Sequence, residues 1–211
     1  MQGCCRSPKF LLECLFAAAP APSSVTRHPY QVSMVINGNS FCGGFIISRD
    51  YVMTAAHCVQ NTSPQAIRLR VGSTRRDSGG RIVAVSNVTV HPLYGQPMYD
   101  HDIAVLRLAQ PLVFGGAIQP IRLPQPRQAV PLVRLTVTGW GLTAVASGSP
   151  YPPHHDGSQC TGGGDSGGPA VFRGTAFGVV SFARGCALPL SPTVFTNIAA
   201  LRDWVTQNTG V

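Results

Sequence analysis

The segment CTGGGDSGGP, residues 160–169, places one serine, Ser166, among five glycines and directly after an acid, Asp165. Because glycine has no Cβ, the main-chain N–H groups of such a loop can approach a ligand oxygen closely. A serine in a glycine-rich turn is by itself an ordinary structural feature. Its significance depends on whether the rest of the chain supplies the partners that a reactive serine requires.

The composition predicts a single domain built of β-strands. Of 211 residues, 44% are apolar and 11% are charged, and 23 Gly and 18 Pro are spread along the whole length. Short β-branched runs such as YQVSMVI (30–36) and DIAVLRLA (102–109) are separated by turn residues, which is typical of a sandwich or barrel. One helix is expected after Asn197, its predicted N-cap. Its apolar residues at helical spacing are Ile198, Leu201, Trp204 and Val205.

The charge of the chain is strongly basic. The formal net charge of +8 comes from 16 Lys and Arg against 8 Asp and Glu. No run of like charge exceeds the pair Arg75 and Arg76, and no basic stripe with interleaved aromatic residues is present, so a nucleic-acid partner is not expected. The pattern favours a solvated basic surface; the alternative is attraction to acidic glycans or anionic surfaces.

The N-terminal residues are similar to a secretory signal peptide. A basic start is followed by an apolar stretch over residues 10–19 with small residues at its end, although Glu13 interrupts the stretch. We therefore expect residues 1–22 to be a signal or N-terminal segment and residues 23–211 to form the domain. No apolar run reaches the ~18 residues of a membrane span. The expected location is extracellular or a secretory granule.

The cysteines also favour an oxidising compartment. Seven are present, of which three lie within residues 1–22, and the remaining four permit three pairings among which the sequence does not choose. Acceptor sequons at Asn61 and Asn87 predict a glycoprotein. The alternative is a cytosolic protein with reduced structural cysteines. The four cysteines outside the N-terminal segment are Cys42, Cys58, Cys160 and Cys186.

Acyl transfer by serine needs a base within hydrogen-bond reach of the hydroxyl, an acid that orients the base, and donors for the developing oxyanion. The segment TAAHC places His57 beside Cys58, where a disulfide would hold the loop. The segment YDHDIAVLRL places Asp102 at the head of an apolar strand, where a carboxylate must find a partner. The chain thus carries one candidate for each role beside Ser166.

Six segments in order along the chain resemble the chymotrypsin-like (trypsin-fold, S1) serine protease family. The resemblance begins at about Pro29 and extends to the C-terminus. It implies an all-β fold of two packed six-stranded antiparallel β-barrels with a C-terminal helix and an active site between the barrels. It also implies the disulfides Cys42–Cys58 and Cys160–Cys186. The six segments are PYQVSM, CGGFIIS, VMTAAHC, DHDIAVLRL, VTGWG and GDSGGP.

The resemblance assigns catalytic roles to individual residues. His57 would act as general base and then acid, Asp102 would fix the tautomer of His57, and Ser166 would attack the scissile carbonyl. The main-chain N–H groups of Gly164 and Ser166 would form the oxyanion hole. Asp100 is a rival acid, but the apolar segment that follows aligns Asp102 with the family's position.

The resemblance also predicts the specificity pocket. Counting back from Cys160 puts Ser158 at the base of the primary pocket, where an aspartate would indicate preference for Arg or Lys. Ala183 and Thr193 fall where wide pockets carry glycine, so small apolar P1 residues are expected. Counted from Ser166 without a gap, the pocket base would instead be Cys160. The strand edge that pairs with extended substrate is expected at Ser181 and Phe182.

Two features depart from the family's pattern. The stretch between Trp140 and Ser166 has roughly half the family's length, and its Pro and Gly content does not suit the missing strands, so the second barrel is predicted to be truncated. The usual activated N-terminus, an Ile or Val followed by glycines, has no match before Pro29. Asp165 is therefore expected to lack an ammonium partner, which predicts an oxyanion hole that is not assembled.

The sequence leads to one function and one alternative. The first is a secreted serine endopeptidase that hydrolyses peptide bonds through a Ser-His-Asp triad and an acyl-enzyme. The alternative is a catalytically inactive homologue that acts as a binding or regulatory module. Expected partners are protein or peptide substrates and protein protease inhibitors, with a monomeric chain. No cofactor and no metal site are expected, since the loop segment His154–Asp156 has no further ligands nearby in sequence.

Overall fold

The computed structural model describes residues 10–12, 23–36, 38–131, 133, 135–141, 165–182 and 193–211. Within them the chain is mostly strand, with one short α-helix near the C-terminus. The elements are β1 (Phe10–Leu12), β2 (Gln31–Ile36), β3 (Asn39–Ile46), β4 (Tyr51–Thr54), β5 (Ile67–Val71), β6 (Arg81–Val90), β7 (Ala104–Leu108), β8 (Thr136–Val137), β9 (Pro169–Phe172), β10 (Thr175–Phe182), β11 (Val194–Asn197) and α1 (Arg202–Thr209), with 3₁₀ turns at Ala56–Cys58, Pro64–Ala66 and Ala199–Leu201.

The first sheet is a closed barrel in the order β2-β3-β4-β7-β6-β5. Its strands alternate between the interior and solvent, as the period of two in an extended chain requires. In β5, Ile67, Leu69 and Val71 are buried whereas Arg68 is exposed. The predicted strand runs YQVSMVI and DIAVLRLA supply β2 and β7 of this barrel.

Among the described residues, the second sheet has five strands in the order β1-β11-β10-β9-β8 and is not closed. The prediction of two barrels of which the second is truncated is therefore confirmed. All four pairings in this sheet are antiparallel. Its outer strand β1 comes from residues 1–22, which the sequence analysis assigned to an N-terminal segment, and it pairs with β11 through three residues.

The C-terminal helix begins later than predicted. Asn197 Oδ1 accepts a hydrogen bond from the N–H of Ala200 at 3.4 Å, but the turn that follows is 3₁₀, and α1 starts only at Arg202. Short 3₁₀ turns are common at helix termini because their tighter bonds satisfy end groups. No described helix is long and apolar enough to cross a membrane.

The core joins the two sheets and the helix. One large apolar cluster fills the first barrel and continues through Leu201, in the preceding 3₁₀ turn, to Val205 in α1, both of which are buried. A smaller cluster of Ala170, Val180 and Phe195 lies within the second sheet. The segments that carry the candidate catalytic residues run between these two bodies.

Candidate active site

His57 lies in the short turn that follows strand β4. The turn is 3₁₀, and the predicted Cys42–Cys58 disulfide is formed, which ties this turn to strand β3. The side chain of His57 is 20% exposed, so the imidazole is accessible from one side. The turn that carries this side chain is therefore anchored by a covalent link at the adjacent residue.

Asp102 lies fully buried just before strand β7 and holds His57 through two atoms. His57 Nδ1 donates to Asp102 Oδ2 at 2.7 Å, and the main-chain N–H of His57 donates to Asp102 Oδ1 at 2.9 Å. A carboxylate at Nδ1 keeps the proton on that nitrogen, which leaves Nε2 as the hydrogen-bond acceptor. The imidazole is thus held in the tautomer that a general base needs.

Two hydroxyl groups from the second sheet also contact Asp102. Ser181 Oγ donates to Asp102 Oδ2 at 2.5 Å, and Thr196 Oγ1 donates to the Asp102 main-chain carbonyl at 2.8 Å. Both residues are buried. Sequence reasoning placed Ser181 only at a strand edge and missed Thr196; the available signal was a hydroxyl residue that directly follows apolar residues in each strand. Ser181 and His57 thus satisfy a carboxylate that would otherwise be unpaired in the interior, and Thr196 satisfies the main-chain carbonyl of the same residue.

Asp100, the rival acid, points to a different histidine. Its carboxylate lies 3.3 Å from Nδ1 of His101, whose ring stacks on His91 with centroids 4.5 Å apart. The His91 ring also lies 5.0 Å from the ring of Trp204. Nearby, burial together with the charges of Asp102 and Tyr99 raises the pKa of Tyr94 to about 12, so this phenol is neutral at ordinary pH.

Ser166 lies half-buried in a tight turn that leads into strand β9. The N–H of Gly43 donates to the Ser166 carbonyl at 2.7 Å, and the N–H of Gly167 donates to the Val180 carbonyl at 2.8 Å. Gly167 has φ +82°, a conformation that favours glycine, and a Cβ there would lie 2.6 Å from the Gly43 carbonyl oxygen. The turn is therefore fixed through its main chain against both sheets.

The turn brings Ser166 to the His57 loop. Cys58 Sγ lies 3.7 Å from the Ser166 carbonyl oxygen and 3.6 Å from His57 Nε2. Among the described residues no hydrogen bond joins Ser166 Oγ to His57. Such bonds are often long without a substrate and shorten in the reacting complex. The three sequence-predicted residues thus lie in neighbouring loops, and the side chains of Asp102 and His57 are already paired.

Asp165 is enclosed by two glycines of the VTGWG segment. Its carboxylate accepts a hydrogen bond from the N–H of Gly141 at 2.7 Å, and a Cβ on Gly141 would lie only 2.5 Å from Asp165 Cγ. A Cβ on Gly139 would also collide with this carboxylate. Burial raises the pKa of Asp165, and the Gly141 bond offsets part of this effect. Sequence reasoning expected this acid to lack an ammonium partner and did not foresee the main-chain donor.

The remaining predicted site residues fall into two groups. Phe182 ends strand β10, where its ring lies 4.8 Å from that of Tyr99, and half-buried Thr193 directly precedes strand β11. The oxyanion-hole, pocket and disulfide predictions at five positions lie outside the described residues. These positions are Ser158, Cys160, Gly164, Ala183 and Cys186.

Close groups of metal-ligating side chains are rare among the described residues. There, the one group of side chains close enough to share an ion consists of Cys42, His57 and Cys58, whose ligand atoms lie within 4.8 Å of one another. The two sulfurs are bonded to each other, so neither is available as the thiolate that a metal would require. Residues 154–156 lie outside the described part.

Comparisons with known proteins agree with this geometry. The Trypsin family model matches residues 20–205. The vitellin-degrading protease of Bombyx mori is 34% identical over 216 residues, covering 87% of this chain and 82% of that protein. A trypsin of Phaedon cochleariae is 33% identical, covering 90% and 86%, and Trypsin 5G1 of Aedes aegypti is 35% identical, covering 89% and 82%.

The lengths of these matches agree with the predicted truncation. The comparison with the Bombyx mori protein spans 216 positions. It includes 87% of the 211 residues of this chain, which is about 184 residues. About 30 of the compared positions therefore have no residue in this chain. The shortfall has the size expected from the short stretch before Ser166. With a family match over most of its length, three relatives above 30% identity, a closed barrel and a buried acid paired with a histidine, the chain belongs to the trypsin family of serine endopeptidases.

Proposed function

We propose that Ser166, His57 and Asp102 form the catalytic triad of this endopeptidase. The observation that carries the proposal is the bond from His57 Nδ1 to a fully buried Asp102 carboxylate, 2.7 Å long, in the loop that contacts the Ser166 main chain. A buried carboxylate paired with histidine costs desolvation, which a purely structural site would avoid with apolar residues. The arrangement suits proton transfer at His57 Nε2.

The reaction proceeds in two steps. Ser166 Oγ attacks the scissile carbonyl carbon while its proton passes to His57 Nε2, and the same proton then leaves with the amine as the peptide C–N bond breaks. Water next attacks the acyl-enzyme, gives its proton to His57, and releases the acid as Ser166 Oγ recovers that proton. We assign the N–H groups of Gly164 and Ser166 to the oxyanion that forms in each step.

The substrates are proteins or peptides bound as an added strand. The end of strand β10, Ser181 and Phe182, is the expected pairing edge, and the Phe182 ring beside Tyr99 offers an apolar surface to a neighbouring side chain. For the P1 residue we propose small apolar side chains. That preference depends on the predicted pocket residues Ser158, Ala183 and Thr193, and a P1 peptide library compares Ala and Val with Arg and Phe directly.

We further propose that the enzyme works outside the cell or in a secretory granule. The Cys42–Cys58 disulfide supports an oxidising compartment, and both sequon residues, Asn61 and Asn87, are exposed, as glycan attachment requires. Protein protease inhibitors and acidic glycans remain proposed partners of a monomeric domain spanning residues 23–211.

Fluorophosphonate labelling of the purified 211-residue chain tests the triad. The probe modifies only a serine that is activated by an assembled site, so we expect one adduct at Ser166, located by mass spectrometry, and none in the matched Ser166→Ala variant. A folded chain that stays unlabelled would contradict the proposal.

The alternative is an inactive homologue that binds protein partners. It is favoured by the open second sheet and by Asp165, whose hydrogen-bond donor among the described residues is a main-chain N–H and not an ammonium group. The same labelling experiment separates the two functions. A folded chain without an adduct, but with retained binding to protein partners, supports the alternative.

A further inference from the structure

We infer that the outer edge of strand β11 is a strand-binding site occupied by the chain's own segment Phe10–Leu12, and that this occupancy supports the catalytic acid through Thr196. The second clause rests on the proposed role of Asp102. The first stands without it. The inference joins three observations: an open sheet, a paired N-terminal strand, and a hydroxyl that connects the same edge to Asp102.

The shortened second sheet creates an edge that needs a partner. Strand β11 pairs with β10 on one side, and in a sheet that does not close, its other side would present a row of free N–H and C=O groups. Strand β1 occupies that side in antiparallel register. The pairs are Phe10 with Thr196, Leu11 with Phe195, and Leu12 with Val194.

The edge that β1 covers belongs to the core. Val194, Phe195 and Thr196 are all buried, and Phe195 packs with Ala170 and Val180 in the smaller apolar cluster. A three-residue strand is too short to be stable alone, so β1 exists only as an addition to β11. The segment Phe-Leu-Leu has the apolar composition expected of a strand at such a position.

Thr196 connects this edge to the active site. Its main chain pairs with Phe10 on one side and with Val179 of strand β10 on the other. Its hydroxyl donates to the Asp102 carbonyl at 2.8 Å. A shift of β11 on loss of β1 therefore moves a donor that fixes the main chain of Asp102, which in turn orients His57. Thr196 acts through Asp102 and is a positioning residue.

This role competes with the leader predicted for residues 1–22. A leader is removed, whereas a sheet strand stays with the folded enzyme. The two ideas differ in the N-terminus of the active protein: the inference requires that residues 10–12 remain with the domain. Sequencing the N-terminus of the mature secreted protein compares them directly.

Hydrogen exchange on the full-length chain tests the pairing without any variant. In an antiparallel pair, alternate residues direct their N–H groups to the partner strand. We expect protection to alternate along Phe10–Leu12, with protected amides throughout Val194–Thr196. Fast exchange at all three residues of β1 would overturn the inference.

Two adjacent proline substitutions provide a matched pair. Of Leu11→Pro and Leu12→Pro, one removes an N–H that faces β11 and the other removes an N–H on the open side, where an edge strand tolerates proline. The first should speed exchange at Val194–Thr196 about tenfold and lower kcat by a similar factor, the size of one lost net hydrogen bond. The second, and both leucine-to-valine controls, should resemble the wild type. Equal behaviour of the two proline variants would contradict the register.

Substitutions at Thr196 test whether its hydrogen bond to the Asp102 carbonyl supports catalysis. Thr196→Val keeps the shape of the side chain but removes the hydroxyl, so kcat should fall about tenfold with little change in KM, while Thr196→Ser restores it. A kcat that is insensitive to Thr196→Val would overturn the coupling. If the wild type is not labelled at Ser166, the proposed function fails, yet the exchange experiment still decides whether β1 occupies the edge. Full protection of β11 in a mature enzyme that begins after Leu12 would overturn the inference as a whole.

Discussion

Replacing Gly167 by alanine should damage both stability and reactivity, and by an amount that the structure allows us to estimate. Gly167 follows the proposed nucleophile and has φ +82°. An alanine in that left-handed region costs about 1–2 kcal/mol on backbone grounds alone. The new Cβ would also collide with Thr54 Oγ1 and lie 2.6 Å from the Gly43 carbonyl oxygen.

The collision adds a second cost, because Thr54 and Gly43 are themselves bonded. Thr54 Oγ1 donates to the Gly43 carbonyl at 2.8 Å, and the threonine is fully buried. A Cβ between them breaks this bond and leaves buried polar groups unpaired, which costs about 1–3 kcal/mol. We therefore expect Gly167→Ala to lower the free energy of unfolding by about 2–5 kcal/mol in total.

Gly210→Ala is the matched control. Gly210 ends helix α1 with φ +71°, but a Cβ there would meet no atom within 4 Å. It carries the backbone cost of about 1–2 kcal/mol without the collision. Urea unfolding of both variants should show Gly167→Ala as the less stable by about 2 kcal/mol, which corresponds to roughly 4–8 °C in Tm for a chain of this size.

Reactivity separates the two variants further. The carbonyl of Ser166 accepts its bond from Gly43, so a displaced turn also displaces the serine. Fluorophosphonate labelling should slow in Gly167→Ala and stay at the wild-type rate in Gly210→Ala. Equal losses of stability in the two variants, or wild-type labelling of Gly167→Ala, would refute the reasoning.

Three further predictions concern the acids and the disulfide. Asp102→Asn should slow labelling of the proposed nucleophile about 100-fold or more, because the proton on the paired imidazole is no longer fixed. Asp100→Asn should have a much smaller effect, because the Asp100 carboxylate faces another histidine. Similar labelling rates for the two variants would contradict the assignment of Asp102. Burial raises the pKa of Asp165, so the stability that this group contributes is present below its ordinary value of 3.8 and is lost as pH rises through the higher folded pKa. Asp165→Asn should remove this loss of stability. Urea unfolding at pH 3.5 and at pH 7 should therefore show the loss in the wild type and not in the variant. Replacing Cys42 and Cys58 together by alanine opens a loop of 16 residues and should lower the free energy of unfolding by about 3 kcal/mol, to be compared with the reduced wild type.

The sequence was sufficient to predict those features of the fold that depend on a local residue pattern or on the resemblance to the family. Strand alternation in segments such as residues 67–71 places apolar side chains in the interior, and the resemblance carried the Cys42–Cys58 disulfide and the truncation of the second barrel. These succeed because each depends on neighbours in sequence or on a motif whose residues are all present.

Long-range contacts were not accessible in the same way. Thr196 is 94 residues from Asp102 in sequence, and no motif near either residue predicts their hydrogen bond. The Gly141 N–H that holds Asp165 depends on two loops packing together. The apolar run at residues 10–19 has the same local pattern whether it is a leader or a strand, and only the free edge of β11 gives Phe10–Leu12 a partner.

The division of the site between two sheets also has a consequence for biosynthesis. His57 and Asp102 belong to the closed barrel formed by residues 31–108, whereas Ser166 and the hydroxyl donors of β10 and β11 come later in the chain. Because a ribosome delivers the N-terminal part first, a chain whose translation stops before Ser166 contains His57 and Asp102 but lacks the proposed nucleophile. On the proposed mechanism, such incomplete translation products cannot form an acyl-enzyme and so cannot cleave the proteins around them.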